Sequence, residues 1–297
     1  MTLRAIAHFL YYRLFSRLFH VRLVAPFKGI VNGVPGLGVL RRLPVYGAFT
    51  VTGHGLRFLY RADTRDLIGR DIFWRGFVAI EPETFAFLVP RLDDRTLFID
   101  AGANTGLFSL AAHARGAAHV IAVEPLRRVF DCLAANLALN GFSGRTTLIP
   151  AALGSRDGEA MLNDPGGYVF PTSASLLEGG WRGMAGTEVR VPLKRLDTVL
   201  NSLGRGVLEG IDRIVLKIDV EGLEVDVLRG FENHLANHTV EIVFEANEAG
   251  FLRPAREFLV SRGFTVSQIT PDGLIPAEAA DFSRHRHCRN FHARRVS

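Results

Sequence analysis

The feature that most constrains the fold is a regular alternation of two kinds of segment from residue 96 onward. Short apolar segments that are typical of strands lie at 96–99, 119–123, 146–149, 214–218, 240–244, 264–269 and 289–295. Segments with helical spacing of apolar residues lie among them, at 105–115, 125–141, 223–229 and 254–262. Because the inner strands are apolar at nearly every position, both faces of their sheet should be covered. The sequence therefore predicts an α/β fold with a mostly parallel sheet and helices on both faces.

The first 69 residues differ from the rest in charge and composition. No Asp or Glu precedes Asp63, whereas residues 1–62 contain eight Arg and Lys28. Apolar residues recur at helical spacing over residues 1–24, eight Gly and Pro residues make 25–47 a connector, and 48–60 has the pattern of a hairpin. We therefore predict a basic N-terminal extension, residues 1–69, followed by an α/β domain, residues 70–297.

The predicted N-terminal helix is too apolar to remain uncovered in water. Its cover would be an anionic membrane surface, the domain itself or a second subunit, and these alternatives stay open at the level of sequence. A signal peptide is disfavoured because Arg13 and Arg17 interrupt the apolar stretch, and no apolar run reaches the roughly 18 residues that a transmembrane span needs. With only Cys132 and Cys288, a reducing compartment is expected. We expect a cytoplasmic protein, with peripheral membrane contact as one alternative.

The sharpest local motif is Asp100-Ala-Gly102-Ala-Asn104-Thr-Gly106, between a predicted strand and a predicted helix. Ligands of such sheets bind outside the carboxyl ends of the strands. An acid before the glycines disfavours a phosphate and favours a cationic ligand. Glu124 ends the next strand, where a carboxylate can accept both hydroxyls of a ribose. This combination fits S-adenosylmethionine, and its predicted binding residues are Asp100, Gly102, Asn104, Gly106, Glu124 and Pro125.

Four stretches, at 98–106, 123–125, 193–197 and 216–224, resemble the FkbM-type S-adenosylmethionine-dependent methyltransferases. The run Lys-Ile-Asp-Val-Glu-Gly at 217–222 is the most family-specific of them, and Leu223 stands where the family usually has Ala. The resemblance covers roughly residues 70 to 250. It implies a Rossmann-like methyltransferase fold and, most often, O-methylation of a hydroxyl on a sugar, lipid or polyketide-like small molecule.

The fourth of these stretches, 216–224, also contains the predicted catalytic residues. Lys217 and Asp219 alternate along one strand, so both side chains should point to the same side. Asp219 or Glu221 would orient or deprotonate the acceptor hydroxyl, and Lys217 would tune the pKa of that carboxylate. The alternative assigns Lys217 to a buried ion pair, and Glu221 and Glu224 to the start of the next helix. Predicted substrate-binding residues on the neighbouring strand end are Glu245 and Asn247.

Residues 164–187 contain six Gly and two Pro, which predicts a lid or substrate loop. Within it, Ser173 and Ser175 are candidates for substrate contact. The carboxylates near the strand ends would suit Mg²⁺, but they lack the fixed spacing of a metal site. His285, His287 and His292 likewise show no ligand pattern. No metal is predicted.

Two other functions compete with this interpretation. A nicotinamide-dependent oxidoreductase is disfavoured because Gly-x-Gly-x-x-Gly and Tyr-x-x-x-Lys are both missing. A basic membrane- or nucleic-acid-associated binding protein that retains a methyltransferase-like fold is the alternative outside enzymology. Nucleic acid is not favoured as a partner, because the part of the chain between the basic ends is acidic. A small-molecule hydroxyl acceptor is the expected substrate, and the sequence does not exclude an oligomer.

Overall fold

The computed structural model describes residues 19–164, 187–220, 222–247, 249–280 and 288–295. The strands in these ranges are β1 (Gly47–Gly53), β2 (Leu56–Ala62), β3 (Thr96–Ala101), β4 (His119–Val123), β5 (Thr146–Ile149), β6 (Ala152–Leu153), β7 (Gly158–Asp164), β8 (Thr187–Lys194), β9 (Arg213–Ile218), β10 (Val240–Glu245), β11 (Phe264–Thr270), β12 (Gly273–Pro276) and β13 (Asn290–Arg295). The α-helices are α1 (Val21–Val24), α2 (Lys28–Gly33), α3 (Leu67–Arg75), α4 (Pro82–Leu88), α5 (Leu107–Arg115), α6 (Arg127–Leu139), α7 (Leu196–Ser202), α8 (Glu224–Gly230), α9 (Glu232–Asn237) and α10 (Ala249–Val260).

The central sheet has eight strands in the order β12–β11–β13–β10–β9–β3–β4–β5. Strands β10, β9, β3, β4 and β5 are mutually parallel, and β13 runs antiparallel to its neighbours β10 and β11. The α/β fold with a mostly parallel, Rossmann-like sheet is therefore confirmed. In chain order, β4 and β5 are added on one side of β3, and β9 is added later on the other side of β3. Ligands of open α/β sheets bind at such a switch point, outside the carboxyl ends of the strands.

Both faces of the sheet are buried, as the continuous apolar strands predict. Alternate residues of β3 belong to different cores: Phe98 packs with the side of α5 and α6, whereas Ile99 packs with the side of α7, α8 and α10. The predicted strands are all present, and the last of them, β13, lies in the sheet beside β10. Sequence reasoning missed α3, α7 and α9 and the three-stranded sheet of β6, β8 and β7.

The prediction of one continuous helix over residues 1–24 was wrong at its described end. His20 has an extended backbone and pairs with Tyr46, and helix begins only at Val21. The reason is tertiary: the N–H groups of Val21 and Tyr46 are used in a short parallel pairing between residues 19–21 and Tyr46. The predicted connector at 25–47 contains α2 and the 3₁₀ segment Leu37–Arg42. Among the described helices, none is long and apolar enough to cross a membrane.

The predicted hairpin is present as β1 and β2. His54 and Gly55 form its two-residue turn, and both have positive φ, 51° and 73°, the backbone that a tight hairpin turn needs. Phe58 and Tyr60 of β2 lie in the same core as α5 and α6. The domain boundary near residue 70 remains a prediction, but the hairpin packs directly on the α/β domain.

Two asparagines, one in α6 and one directly after it, hold the hairpin by its free edge. Asn140 pairs with both backbone groups of Leu59 at 2.7 Å. Asn136 is fully buried, accepts the N–H of Arg61 at 2.7 Å and donates to the carbonyl of Thr105 at 3.0 Å. Asn136 therefore joins the hairpin to the loop that follows β3.

We expect Asn136→Ala to lower the free energy of unfolding by about 2–5 kcal/mol, because the partly buried N–H of Arg61 and the buried carbonyl of Thr105 lose their partner together. Asn140→Ala should cost only about 1 kcal/mol, because the groups it releases on Leu59 can bind water. Chemical denaturation of both variants measures the difference. Equal losses would show that Asn136 is no more important than its exposed neighbour.

Candidate functional site

The ends of three neighbouring strands are joined at the loop that follows β3. The N–H groups of Gly102 and Ala103 both donate to the carbonyl of Val123 at the end of β4, at 3.0 and 2.9 Å. The N–H of Asp219 donates to the carbonyl of Ala101 at 2.9 Å, which ties the end of β9 to β3. Gly102 has φ 84°, and a Cβ there would overlap the carbonyl oxygen of Asp219. The close approach that requires glycine is therefore to the backbone of Asp219.

Glu124 lies on the other side of this loop. Its Oε2 accepts the N–H of Asn104 at 3.1 Å, and its Oε1 accepts the N–H of Leu126, just beyond Pro125, at 2.9 Å. Asn104 has φ 49°, a left-handed backbone that asparagine tolerates. Burial raises the pKa of Glu124 to about 7, although the two backbone N–H groups favour its ionised form. Each carboxylate oxygen keeps a lone pair for a further donor.

Asp100 connects β3 to the first turns of α5. It is 2% exposed, and its Oδ2 accepts the hydroxyl of Ser109 at 2.6 Å. Burial raises the pKa of Asp100 to about 6, and the charge of Lys217 opposes that rise. Gly106 precedes α5 with φ 93°, and a Cβ there would lie 2.6 Å from Leu133 of α6. Asp100 and Gly106 thus hold the loop against the helices on one face.

Among the described residues, Lys217 is the one cation of an acidic cluster at the carboxyl end of β9. Its Nζ lies 3.0 Å from Oδ2 of Asp219 and 4.3 Å from the centre of the Phe108 ring. The Lys217 side chain is 2% exposed and that of Asp219 is 28% exposed. Burial alone would lower the pKa of Lys217, but Asp219, Glu81 and Asp100 raise it above its ordinary value. The ammonium therefore stays charged although it is buried.

The carboxyl group of Glu245 shares a hydrogen bond with that of Asp219. Burial, together with the charge of Asp219, raises the pKa of Glu245 strongly. Glu245 is therefore protonated, and its O–H donates the shared hydrogen bond to the carboxylate of Asp219. Burial also acts on Asp219, but Lys217 and Glu245 outweigh it and hold the pKa of Asp219 below its ordinary value. Asp219 is therefore an ionised carboxylate at the partly exposed edge of the cluster.

Glu81 completes the cluster and was missed by sequence reasoning. It precedes α4 in a left-handed backbone with φ 39°, which is costly for a residue with a side chain. Its carboxyl group interacts with Lys217 and Asp219 and accepts the Nδ2 of Asn290 at 2.9 Å. Burial raises the pKa of Glu81. The sequence shows an acid directly before Pro82, but nothing in it places this residue beside Lys217.

Asn290 was also missed, because its position depends on how β13 enters the sheet. It lies opposite Glu245 in the antiparallel pairing of β13 with β10. Its Nδ2 is used by Glu81, and its buried Oδ1 has no hydrogen-bond partner among the described residues. Two residues far apart in sequence, 81 and 290, thus meet beside the Lys217–Asp219 pair.

Some of the remaining predicted residues lie within the described part of the chain, and the others lie outside it. The Oδ1 of Asn247 accepts a hydrogen bond from Arg289 at 2.7 Å. Glu224 begins α8, and its Oε1 accepts the N–H of Gly222 at 3.0 Å, as the helix-start alternative predicts. Within the described part of the chain, no group of three or more His, Cys, Asp or Glu is arranged to hold a metal ion. The predictions that lie outside the described residues are those for Ser173, Ser175 and Glu221 and most of loop 164–187.

An open α/β sheet with a glycine loop at its switch point and an acid at the end of the next strand is the arrangement of a Rossmann-like methyltransferase. Residues 100–266 match the family described as the Methyltransferase FkbM domain. The chain therefore belongs to the FkbM methyltransferase family and is a methyltransferase.

The chain is also similar to two named methyltransferases and to one solved structure. Methyltransferase sdnD of Sordaria araneosa is 32% identical over 202 residues, which cover 61% of this chain and 78% of that protein. Methyltransferase 1 of Beauveria bassiana is 28% identical over 209 residues, with 63% and 80% covered. The crystal structure of methyltransferase FkbM from Methylobacillus flagellatus is 15% identical, with a TM-score of 0.47, and the match covers 75% of this chain and 52% of that one.

Burial of Glu224, which is 3% exposed, raises its pKa from 4.5 to about 7. The folded state therefore holds this proton more tightly than the unfolded chain, and stability falls as the pH rises from about 4.5 to about 7. We expect Glu224→Gln, which stays neutral and can still accept from Gly222, to be more stable than the wild type by up to about 3 kcal/mol near pH 8.

Denaturation across this pH range tests the expectation, with exposed Glu159→Gln as the matched control. If the wild type and Glu224→Gln lose stability in parallel, Glu224 is not the group responsible.

Proposed function

We propose that this methyltransferase uses S-adenosylmethionine to methylate a hydroxyl group on a sugar, lipid or polyketide-like small molecule. The observation that carries the proposal is the Lys217–Asp219 ion pair. It lies at the carboxyl end of β9, next to the Asp100–Gly106 loop and at the switch point of the sheet. The carboxylate of this pair, that of Asp219, is partly exposed and is held in its ionised form.

The donor side of the site fits a cationic ligand. Among the residues that the structure describes, the acids Glu81, Asp100, Asp219 and Glu245 surround one ammonium group, that of Lys217. When bound, S-adenosylmethionine supplies a methyl group on a positively charged sulfur, and this acidic environment complements that charge. Asn104 and Gly106 shape the loop by their left-handed backbone. Glu124, with free lone pairs on a fixed carboxylate, would accept the ribose hydroxyls.

On the acceptor side, Asp219 would accept the hydrogen bond of the attacking hydroxyl. Lys217 and the protonated Glu245 fix the orientation of this carboxylate and keep it charged. A carboxylate with a low pKa is a weak base, so its main effect is alignment of the acceptor oxygen, with proton uptake as that oxygen loses electron density. Glu81, held by Asn290, borders the same space. Further acceptor contacts are proposed for Glu221, Asn247, Ser173, Ser175 and loop 164–187.

We expect Glu124→Ala to weaken the binding of S-adenosylhomocysteine by about 1.5–3 kcal/mol for each charge-assisted hydrogen bond lost. Isothermal titration measures the affinity, and Glu159→Ala, at an exposed glutamate of β7, is the matched control. Glu124 also holds the N–H groups of Asn104 and Leu126, so Glu124→Gln is included to preserve part of this support. Unchanged affinity in folded Glu124→Ala would remove Glu124 from the donor site.

We expect Asp219→Asn to retain S-adenosylhomocysteine binding but to lose roughly 10²–10⁴-fold in turnover, because the amide neither takes up the acceptor proton nor carries a charge. Methyl-labelled S-adenosylmethionine is offered with separate pools of sugars, glycolipids and polyketides, and turnover is measured in the pool that becomes labelled. A methyl ether survives alkaline hydrolysis, whereas a methyl ester does not. Normal turnover by Asp219→Asn, or label only in alkali-labile products, would contradict the proposed chemistry.

A further inference from the structure

Large apolar side chains are exposed most densely on one short segment of the described chain. Of the eleven that are prominently exposed, five lie between residues 23 and 39: Leu23 57%, Phe27 58%, Ile30 55%, Val34 46% and Val39 62%. We refer to these five residues as the N-terminal apolar face. The other six are scattered between residues 59 and 274. Isolated exposed apolar residues are ordinary, but a dense group of them marks a surface that something covers.

The opposite side of this segment is fixed to the domain. Val21 and Val31 are buried in the core. The Nδ2 of Asn32 donates to the carbonyl of Trp74 at 2.8 Å, and the indole N–H of Trp74 donates to the carbonyl of Leu43 at 3.0 Å. The segment is therefore amphipathic with respect to its own domain. Its inner side chains pack on α3 and the hairpin, and its outer side chains project from this support.

The charged residues in the part of the sequence that contains the N-terminal apolar face are all positive. Residues 1–62 contain eight Arg, one Lys and no Asp or Glu. Arg22 and Arg42, just before and just after the face in sequence, are exposed. Lys28 is half-buried, and its Nζ lies 5.4 Å from the centre of the Phe73 ring. In sequence, residues 1–18 continue the same chemistry with Arg4, Arg13 and Arg17 among leucines and phenylalanines.

We propose that the N-terminal apolar face docks on an anionic lipid bilayer. Exposed Phe, Ile, Val and Leu side chains insert into the acyl boundary, while surrounding arginines contact the acidic headgroups. This inference is independent of the proposed reaction. A symmetric contact with a second copy is disfavoured because it would set two segments that contain arginines and no acid against each other. Nucleic acid would match the charges but would leave the apolar side chains without a partner.

The test is co-sedimentation of the full chain with vesicles of phosphatidylcholine alone or of phosphatidylcholine with phosphatidylserine. We expect binding only to the second kind, weakening as the salt concentration rises. The face variant, Phe27→Ser with Ile30→Ser and Val39→Ser, should bind more than tenfold more weakly. Arg22→Gln and Arg42→Gln should each weaken binding about fivefold. The matched control replaces three apolar residues exposed elsewhere, Met161, Val260 and Leu274, by Ser and should bind like the wild type.

Three results would overturn the proposal. The first is a wild-type chain that stays in the supernatant with phosphatidylserine vesicles, or a face variant that binds as well as the control. The second is a face variant with a much lower melting temperature than the control variant, which would mean that residues 1–18 or another part of the chain cover the face. The third is a wild-type dimer in light scattering that dissociates in the face variant while vesicles bind neither protein.

Discussion

A single buried ammonium group, that of Lys217, balances carboxyl groups from three strands and one helix start. Asp100 comes from β3 and Glu245 from β10, the two strands that flank β9. Asp219 follows β9 itself, and Glu81 directly precedes α4. Without this cation, the buried acids would repel one another and retain their protons. With it, Glu245 keeps a proton and Asp219 ionises, so one charged oxygen faces outward from an otherwise neutralised cluster. The other features of the site support this division of charge.

The site depends on parts of the chain outside the family match. The match covers residues 100–266, whereas Glu81 precedes it and Asn290 follows it. The hairpin also precedes it, yet the Tyr60 hydroxyl contacts Thr105 at 2.6 Å and Asn136 links the hairpin to the same loop. The glycine loop is thus supported from the hairpin side as well as from β4 and β9. The matched segment supplies the donor loop, and the flanking segments complete its surroundings.

The same N-terminal part of the chain has two unlike sides. Val21, Val31 and the hairpin stabilise the domain from within, because their apolar surface is removed from water. The N-terminal apolar face lies on the other side of the same short segment, among arginines and without acids. A segment required only to complete the core could have been polar on its outer side. Its apolar, basic surface is therefore best understood as a contact surface.

The sequence by itself determined the sheet and the loop. Continuous apolar strands have only one stable environment, a sheet covered on both faces, and the spacing from Asp100 to Glu124 places both acids at its carboxyl edge. It also placed Lys217 and Asp219 on one side of a strand, since side chains alternate with a period of two. Only the tertiary structure decided that Glu81 and Asn290 join them, that Gly102 makes room for the backbone of Asp219, and that His20 is extended with helix beginning at Val21. These outcomes depend on which strands become neighbours and which segments cover them, and no local pattern encodes such long-range pairing.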